Sequence, residues 1–311
     1  MSDRRAAVVG AGVMGAGIAH VLAAAGWRVA LHDPDPAALA SAPDRIAAGL
    51  ELLGRPATPV LELISLDPRL ETAVDGARLV IEAGPERLEV KQYIFASLDD
   101  LTEPDTVLAS NTSAIPIREI AARVGHRGRV LGTHFWNPPH LVPLVEVVES
   151  TGTDPAHIAW TMEVLAAAGM KPAHVKADIP GFVGNRLQHA LKREAIALVA
   201  SGVCDAETVD TVVKHGFGMR LPYIGPLEQS DLGGLELTLA IHEVLIPSLD
   251  VTPAPHPLLV EKVRSGEVGA SVGRGFRSWA PGEAAALRAA VDRALAKRPH
   301  REIPDPKIEQ A

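Results

Sequence analysis

A chain of 311 residues, 47 % of them hydrophobic, is long enough for two domains with substantial cores. Its 30 Lys and Arg against 38 Asp and Glu give a net charge of -8, and 22 % of residues are charged. This balance argues against a disordered chain and against an electrostatic nucleic-acid binder, and points to a small-molecule partner.

In chain order, the opening MSDRRAAVVGAGVMG has two arginines but no apolar leader, and 18 apolar residues nowhere follow one another. No membrane partner and a cytoplasmic location are expected. Ala6 to Val9 predicts a strand that meets Gly10, Gly12 and Gly15, after which Ile18, Ala19, Leu22 and Ala23 recur at helical spacing up to Gly26. Arg28 to Leu31 predicts a second strand ending at Asp33, and Pro34 and Pro36 precede an alanine-rich helix. Further strands are predicted at Leu79 to Glu82, Val107 to Ala109 and Val130 to Thr133, each after a helical segment. The alternation predicts an α/β fold, a doubly wound Rossmann-type parallel sheet with covered faces. From Gly181 onward only helices are predicted, at Arg186 to Ala200, Ala206 to His215, Glu236 to Leu245 and Glu283 to Ala296. The domains are therefore expected at 1–179 and 180–311, the second all-helical.

Gly10-Ala11-Gly12-Val13-Met14-Gly15 fits GxGxxG. The first glycine makes the turn, the second admits pyrophosphate to the backbone, and the third lets helix pack on strand. The string alone is weak, but here it follows a strand, opens a helix and precedes Asp33 at the next strand end, where a carboxylate accepts both ribose hydroxyls. Asp33 favours NAD over NADP because it would repel a 2′-phosphate. Arg28 lies before the strand and is a poor neutraliser.

Glu146 sits in the apolar run Leu144 to Val148, and an unpaired buried carboxylate costs several kcal/mol, so it must reach water or a partner. His134, in Thr133-His134-Phe135-Trp136-Asn137-Pro138-Pro139, is the nearest attractive partner. A carboxylate on one imidazole nitrogen leaves the other free as a base. A satisfied core histidine and a solvated strand-edge glutamate stay open as alternatives. Ser110-Asn111-Thr112-Ser113 follows a strand, which places it at the ligand-binding edge of the sheet, and it equally suits the N-cap of a helix from Ile115 to Ala122; neither reading excludes the other. On Pro180 to Arg186 and beyond, Asn185, Gln188, His189 and Lys192 share a helix face, which is usually a solvated one. The single cysteine, Cys204, excludes a disulfide framework and a thiolate zinc cluster, and with no HExxH spacing no metal is expected.

GAGVMGAGIA, VIEAGPERLEVKQ, ASNTSA, THFWNPP with LVEVV, and PGFVGNR stand here in the order found in the L-3-hydroxyacyl-CoA dehydrogenase family, which the chain resembles over most of its length. The resemblance implies an N-terminal NAD-binding domain, a helical domain that binds substrate and dimerises, and oxidation of a 3-hydroxyl to a ketone with NAD as hydride acceptor. It implies that His134 is the general base and Glu146 its orienting carboxylate, with Ser113 and Asn185 holding the substrate oxygen. Glu86 and Lys91, locally a solvated helix start, match residues lining the nicotinamide ribose, and Asn137 matches the asparagine beside the nicotinamide. Two features depart from the pattern. Asp33 to Asp67 holds no lysine, only Arg45 and Arg55, where members using CoA carry a lysine-rich hairpin; and GASVGRGF replaces the usual GKKTGxGF. The stretch from Gly181 to Glu228 is similar to the branch acting on free hydroxy acids, the L-gulonate 3-dehydrogenases and the λ-crystallins. A free 3-hydroxy acid is therefore expected, with Arg220 binding its carboxylate. An acyl-CoA thioester is the alternative substrate, and an NAD-binding structural protein without turnover is the alternative of another class.

Overall fold

The computed structural model of the chain describes residues 4–297. They group into two compact units, one running through Arg186 and including Asp292–Lys297, the other Leu187–Val291. The remainder of the expected second domain, 298–311, lies outside the described residues.

The first unit is built on eight strands: β1 (Arg5–Val9), β2 (Arg28–His32), β3 (Ile64–Asp67), β4 (Leu79–Glu82), β5 (Val107–Ser110), β6 (Val130–Phe135), β7 (Leu144–Val148) and β8 (Lys171–Val175). Their order is β3-β2-β1-β4-β5-β6-β7-β8. The central strands β4, β5 and β6 are buried along their whole length, as near-continuous apolar runs covered on both faces require. Helices α1 (Val13–Ala24), α2 (Pro36–Leu52) and α3 (Thr58–Leu61) connect β1 to β3, and α4 (Leu70–Val74), α5 (Leu88–Leu101) and α6 (Ile117–Ile120) connect β3 to β6. Helix α7 (Pro155–Ala167) connects β7 to β8. One core packs α1, α2 and α7 on the sheet around Ile18, Leu22, Leu31 and Ile46; the other packs α4 to α6 around Phe95, Leu98, Ile117 and Ile120.

The sheet is not wholly parallel as expected. Strand β7 runs antiparallel to β6, and β8 is parallel to β7. Only residues 136–143 join β6 to β7, too few for the crossover that a parallel return needs. Strands β3 and β8 escaped sequence reading because both are edge strands, partly exposed and without an apolar run. The helix expected from Ile115 shrinks to α6 and a 3-10 turn over Ala121–Arg123, since Pro116 disfavours helical backbone at the residue before it.

Two glycines on helices α1 and α2 act as sockets. A Cβ on Gly17 would stand 2.7 Å from Cδ of Pro139, and one on Gly49 would stand 3.0 Å from Nε2 of His140. His140 stacks on His20 of α1 with ring centroids 5.1 Å apart. His20 is 2 % exposed. Burial, with help from His140 and Arg55, pushes its pKa down to about 4.

The second unit carries α8 (Gly184–Ala200, which begins in the first unit), α9 (Ala206–His215), α10 (Pro226–Gly233), α11 (Leu235–Leu245), α12 (Pro257–Arg264) and α13 (Glu283–Ala296, which from Asp292 belongs to the first unit). The four helices expected here are present. The other two, α10 and α12, are eight residues each and start with proline at the first turn. No residue of α8 to α13 is buried.

Candidate functional site

The glycine-rich turn follows β1, at the point where β2 lies on one side of that strand and β4 on the other. This is the crevice at which doubly wound sheets bind ligands. Gly10 has φ 108°, and a Cβ there would stand 2.7 Å from the carbonyl of Ala83; a Cβ on Gly15 would stand 1.7 Å from the carbonyl of Gly10. Those two glycines are required by packing alone. Gly12 is different, because a Cβ there would meet nothing within 4 Å. It caps α1 without a side chain, so the first N–H groups of α1, beginning at exposed Val13 and half-buried Met14, face open space.

Asp33 Oδ2 accepts from Ala11 N at 2.8 Å and Oδ1 from Asp35 N at 2.9 Å. Each oxygen keeps an acceptor site for one ribose hydroxyl. The residues present thus fit a dinucleotide, with pyrophosphate at Gly12 to Gly15 and the adenosine ribose at Asp33. Arg45 of α2 donates through Nη2 to the carbonyls of Ala11 at 2.7 Å and Ala38 at 3.1 Å, which ties α2 to the glycine-rich turn.

His134 and Glu146 are directly opposed across the antiparallel β6–β7 pair, which explains the contact that their spacing left open. His134 Nδ1 lies 2.8 Å from Glu146 Oε2, and the two residues are 5 % and 2 % exposed. The other carboxylate oxygen accepts from Val183 N at 2.9 Å and Gly184 N at 3.0 Å. Burial pushes the Glu146 carboxyl up, but the bonds from His134 and from the Gly184 and Val183 amides outweigh it and hold the carboxyl below its usual value. Phe182, fully buried at φ 47°, makes the left-handed turn that aims these amides, and its ring lies 5.8 Å from that of His134. A Cβ on Gly184 would stand 2.4 Å from Cζ2 of Trp136, whose ring lies 5.5 Å from that of His134.

Asn185, at the start of α8, donates through Nδ2 to the carbonyl of Ser113 at 3.0 Å. Ser113 is exposed on the loop after β5. That loop is held by Glu86, whose Oε1 accepts from the Thr112 hydroxyl at 2.6 Å, Ser113 N at 2.9 Å and Ala114 N at 3.2 Å. Partial burial opposes ionisation of Glu86, but the Thr112 hydroxyl, the Lys91 ammonium and the loop amides keep its carboxyl below the usual range. Thr112 Oγ1 accepts from Ile115 N at 3.0 Å, the bond expected of a cap at the start of the predicted helix, but Ser110 to Ser113 do not cap the shorter α6 itself. Asp178 caps α6 instead, accepting from Ile117 N at 3.0 Å and Arg118 N at 2.8 Å.

Lys91 is not a solvated residue at a helix start. It is 1 % exposed, and its Nζ stands 2.8 and 2.9 Å from the two oxygens of Glu82, itself fully buried, and 3.5 Å from Glu86. Sequence reading passed over Glu82, although the argument applied to LVEVV, a carboxylate in an apolar run that must have a partner, applies equally to LVIE. Asp178 was also missed, and Asn111, expected at the ligand-binding edge, is buried and accepts through Oδ1 from Phe135 N at 2.8 Å. Asn137 is exposed, joined to Pro138 by a cis peptide. Arg220 is exposed in the second unit, closing a 3-10 turn at Phe217–Met219. Among the described residues no three His, Cys, Asp or Glu side chains cluster as a metal site would require, and no helix is long and apolar enough to cross a membrane.

Residues 5–179 match the family described as 3-hydroxyacyl-CoA dehydrogenase, NAD binding domain, and residues 181–279 match 3-hydroxyacyl-CoA dehydrogenase, C-terminal domain. A relative from Mesorhizobium japonicum, 5-formyl-3-hydroxy-2-methylpyridine 4-carboxylate 5-dehydrogenase, is 36 % identical over 94 % of this chain and 96 % of its own. A crystal structure of an enzyme of that name, described as an NAD+-dependent dismutase, superposes with TM-score 0.88 at 34 % identity, covering 94 % of this chain and 96 % of the other. The structure of (S)-3-hydroxybutyryl-CoA dehydrogenase from Ralstonia eutropha gives TM-score 0.75 at 31 % identity, covering 90 % of this chain and all of the other.

Proposed function

Since the chain belongs to the 3-hydroxyacyl-CoA dehydrogenase family and is an NAD-dependent oxidoreductase acting on CH–OH, we propose that it oxidises the C3 hydroxyl of a small 3-hydroxy acid carrying a free carboxylate. The observation that carries the chemistry is the clamped His134–Glu146 pair. Glu146 accepts from Nδ1 of the ring, which leaves Nε2 as the base that takes the hydroxyl proton, and the same carboxylate stabilises the imidazolium that forms. Ser113 Oγ and Asn185 Nδ2 hold the reacting oxygen, a role supported by their side-by-side placement. NAD, when bound, accepts the hydride from C3. Glu86 and Lys91 would line the nicotinamide side of the cofactor, and Asn137 would stand beside its ring.

Two observations support a free acid over a CoA thioester. Of the two arginines between Asp33 and Asp67, Arg45 already engages two backbone carbonyls through Nη2, which leaves it less free to meet a 3′-phosphate. The Mesorhizobium relative is named for a carboxylate substrate. Arg220 is the anion-binding residue in this reading, since a guanidinium offers a carboxylate two parallel donors. NADH formation from 3-hydroxybutyrate-type acids, from pyridine carboxylates and from the matching CoA thioesters tests it, in wild type and Arg220→Ala. The acids should be preferred, and Arg220→Ala should raise their KM about tenfold or more. A thioester preferred more than tenfold, with Arg220→Ala unaffected, overturns the substrate assignment.

The protein works as a homodimer in this reading. Leu227, Leu232 and Val244 are each about four-fifths exposed on helices that have no buried residue of their own, and a second copy is the occupant that would cover them. Light scattering should give twice the chain mass of 32.8 kDa; a single-chain mass at micromolar concentration removes the dimer.

A further inference from the structure

Among the buried groups that the proposed chemistry does not use is Glu82, the last residue of β4. All of its acceptor capacity is taken. Oε1 accepts from Lys91 Nζ at 2.8 Å and Gly84 N at 2.7 Å, and Oε2 from Lys91 Nζ at 2.9 Å and Ser110 Oγ at 2.7 Å. A fully buried ion pair is tolerated when every lone pair is matched in this way, and it is rarely a net source of stability. Its position is what matters here. Asp33 marks the adenosine side of the crevice at the end of β2, so the ends of β4 and β5, across β1, lie on the nicotinamide side.

We infer that Glu82 is a positioning residue that sets the preference of the coenzyme site for the oxidised over the reduced nicotinamide. Lys91 stands between two carboxylates, with Glu86 at 3.5 Å, so the group carries one negative charge in excess. The ring of NAD+ is positive and that of NADH is neutral. An excess negative charge on a group whose Glu82 and Lys91 members are buried therefore favours NAD+. By taking two donors of Lys91, Glu82 also keeps the ammonium from swinging fully onto Glu86, which needs its other oxygen for the loop that carries Ser113.

The inference rests on the cofactor placement proposed above, and its test needs no substrate. NAD+ is titrated by quenching of tryptophan fluorescence and NADH by its own emission, in Glu82→Gln, Lys91→Met, the double variant and Glu82→Asp. Glu82→Gln should lower the affinity for NAD+ relative to NADH about fivefold, and Lys91→Met should move the ratio the other way. The double variant, which restores the charge balance, should return the ratio to the wild-type value, and Glu82→Asp should keep that ratio while weakening both coenzymes. Should Glu82→Gln not fold, the double variant, which leaves no unpaired buried charge, and Lys91→Met with Glu82→Asp still decide the matter. A ratio within twofold of wild type in every single variant, whatever the melting temperature does, makes Glu82 a packing residue and overturns the inference. Failure of the proposed reaction would look different, as absent turnover across the substrate panel with the coenzyme ratios shifting as described.

Discussion

Glu146→Gln isolates what the carboxylate contributes beyond filling space, because the structure dictates how the amide would sit. The oxygen that faces Val183 N and Gly184 N must accept two backbone bonds, so the amide oxygen takes that place and the NH2 group is turned toward His134 Nδ1 at the 2.8 Å position. Nδ1 then becomes an acceptor, the proton moves to Nε2, and the ring presents N–H where a base is needed. Flipping the amide restores the tautomer but sets NH2 against two part-buried N–H donors, at about 1–3 kcal/mol for each bond lost. The competent arrangement is therefore disfavoured by about 2–6 kcal/mol, and kcat should fall by about 10²- to 10⁴-fold. KM should change little, and NADH binding, measured without substrate, should stay near wild type. His134→Ala should fall in the same range, and the two losses should not add, since both remove one base. A Glu146→Gln enzyme within threefold of wild-type kcat would mean that the pair is structural and that the proton leaves by another route.

Gly12→Ala should leave the melting temperature of the free protein unchanged, because its Cβ meets nothing, yet weaken NAD binding at least tenfold by occupying the pyrophosphate approach; calorimetry of both checks it, and unaltered binding contradicts the cradle. NAD should exceed NADP in kcat/KM by about 100-fold, through two ribose bonds to Asp33 and like-charge repulsion; equal efficiency refutes that role. His20 protonates near pH 4 folded but near 6.5 unfolded. The unfolded chain thus binds more protons between these values, so stability is full above pH 6.5 and declines as pH falls toward 4. At pH 5 this residue alone accounts for about 2 kcal/mol of loss. Urea unfolding of wild type and His20→Phe at pH 7.5 and 5 should show the variant losing less; identical losses would exclude the imidazole.

The residues that were legible from sequence are those whose demands are local. The glycine turn, the strand and helix around it and Asp33 announce themselves within one βαβ unit. Glu146 announced a need for a partner but not which one, because the pairing is set by the antiparallel register of β7, fixed in turn by the shortness of residues 136–143. Asp178, which caps a helix about 60 residues earlier in the chain, left no signal near that helix. Lys91 read as solvent-facing because its partner, Glu82, lies on a strand and not on its own helix.

Gly17 and Gly49 look like filler in alanine-rich helices, yet each is the shape of something else: a proline ring and an imidazole from the loop just past His134. That makes α1, α2 and this loop a single module for anyone recombining relatives. Grafting a foreign loop after Trp136 onto these helices would leave two holes, and grafting foreign helices under this loop would drive a methyl group into Pro139. Cofactor-switching libraries that randomise the first βαβ unit should hold both glycines fixed, or else carry residues 137–141 along with the helices as one inherited block.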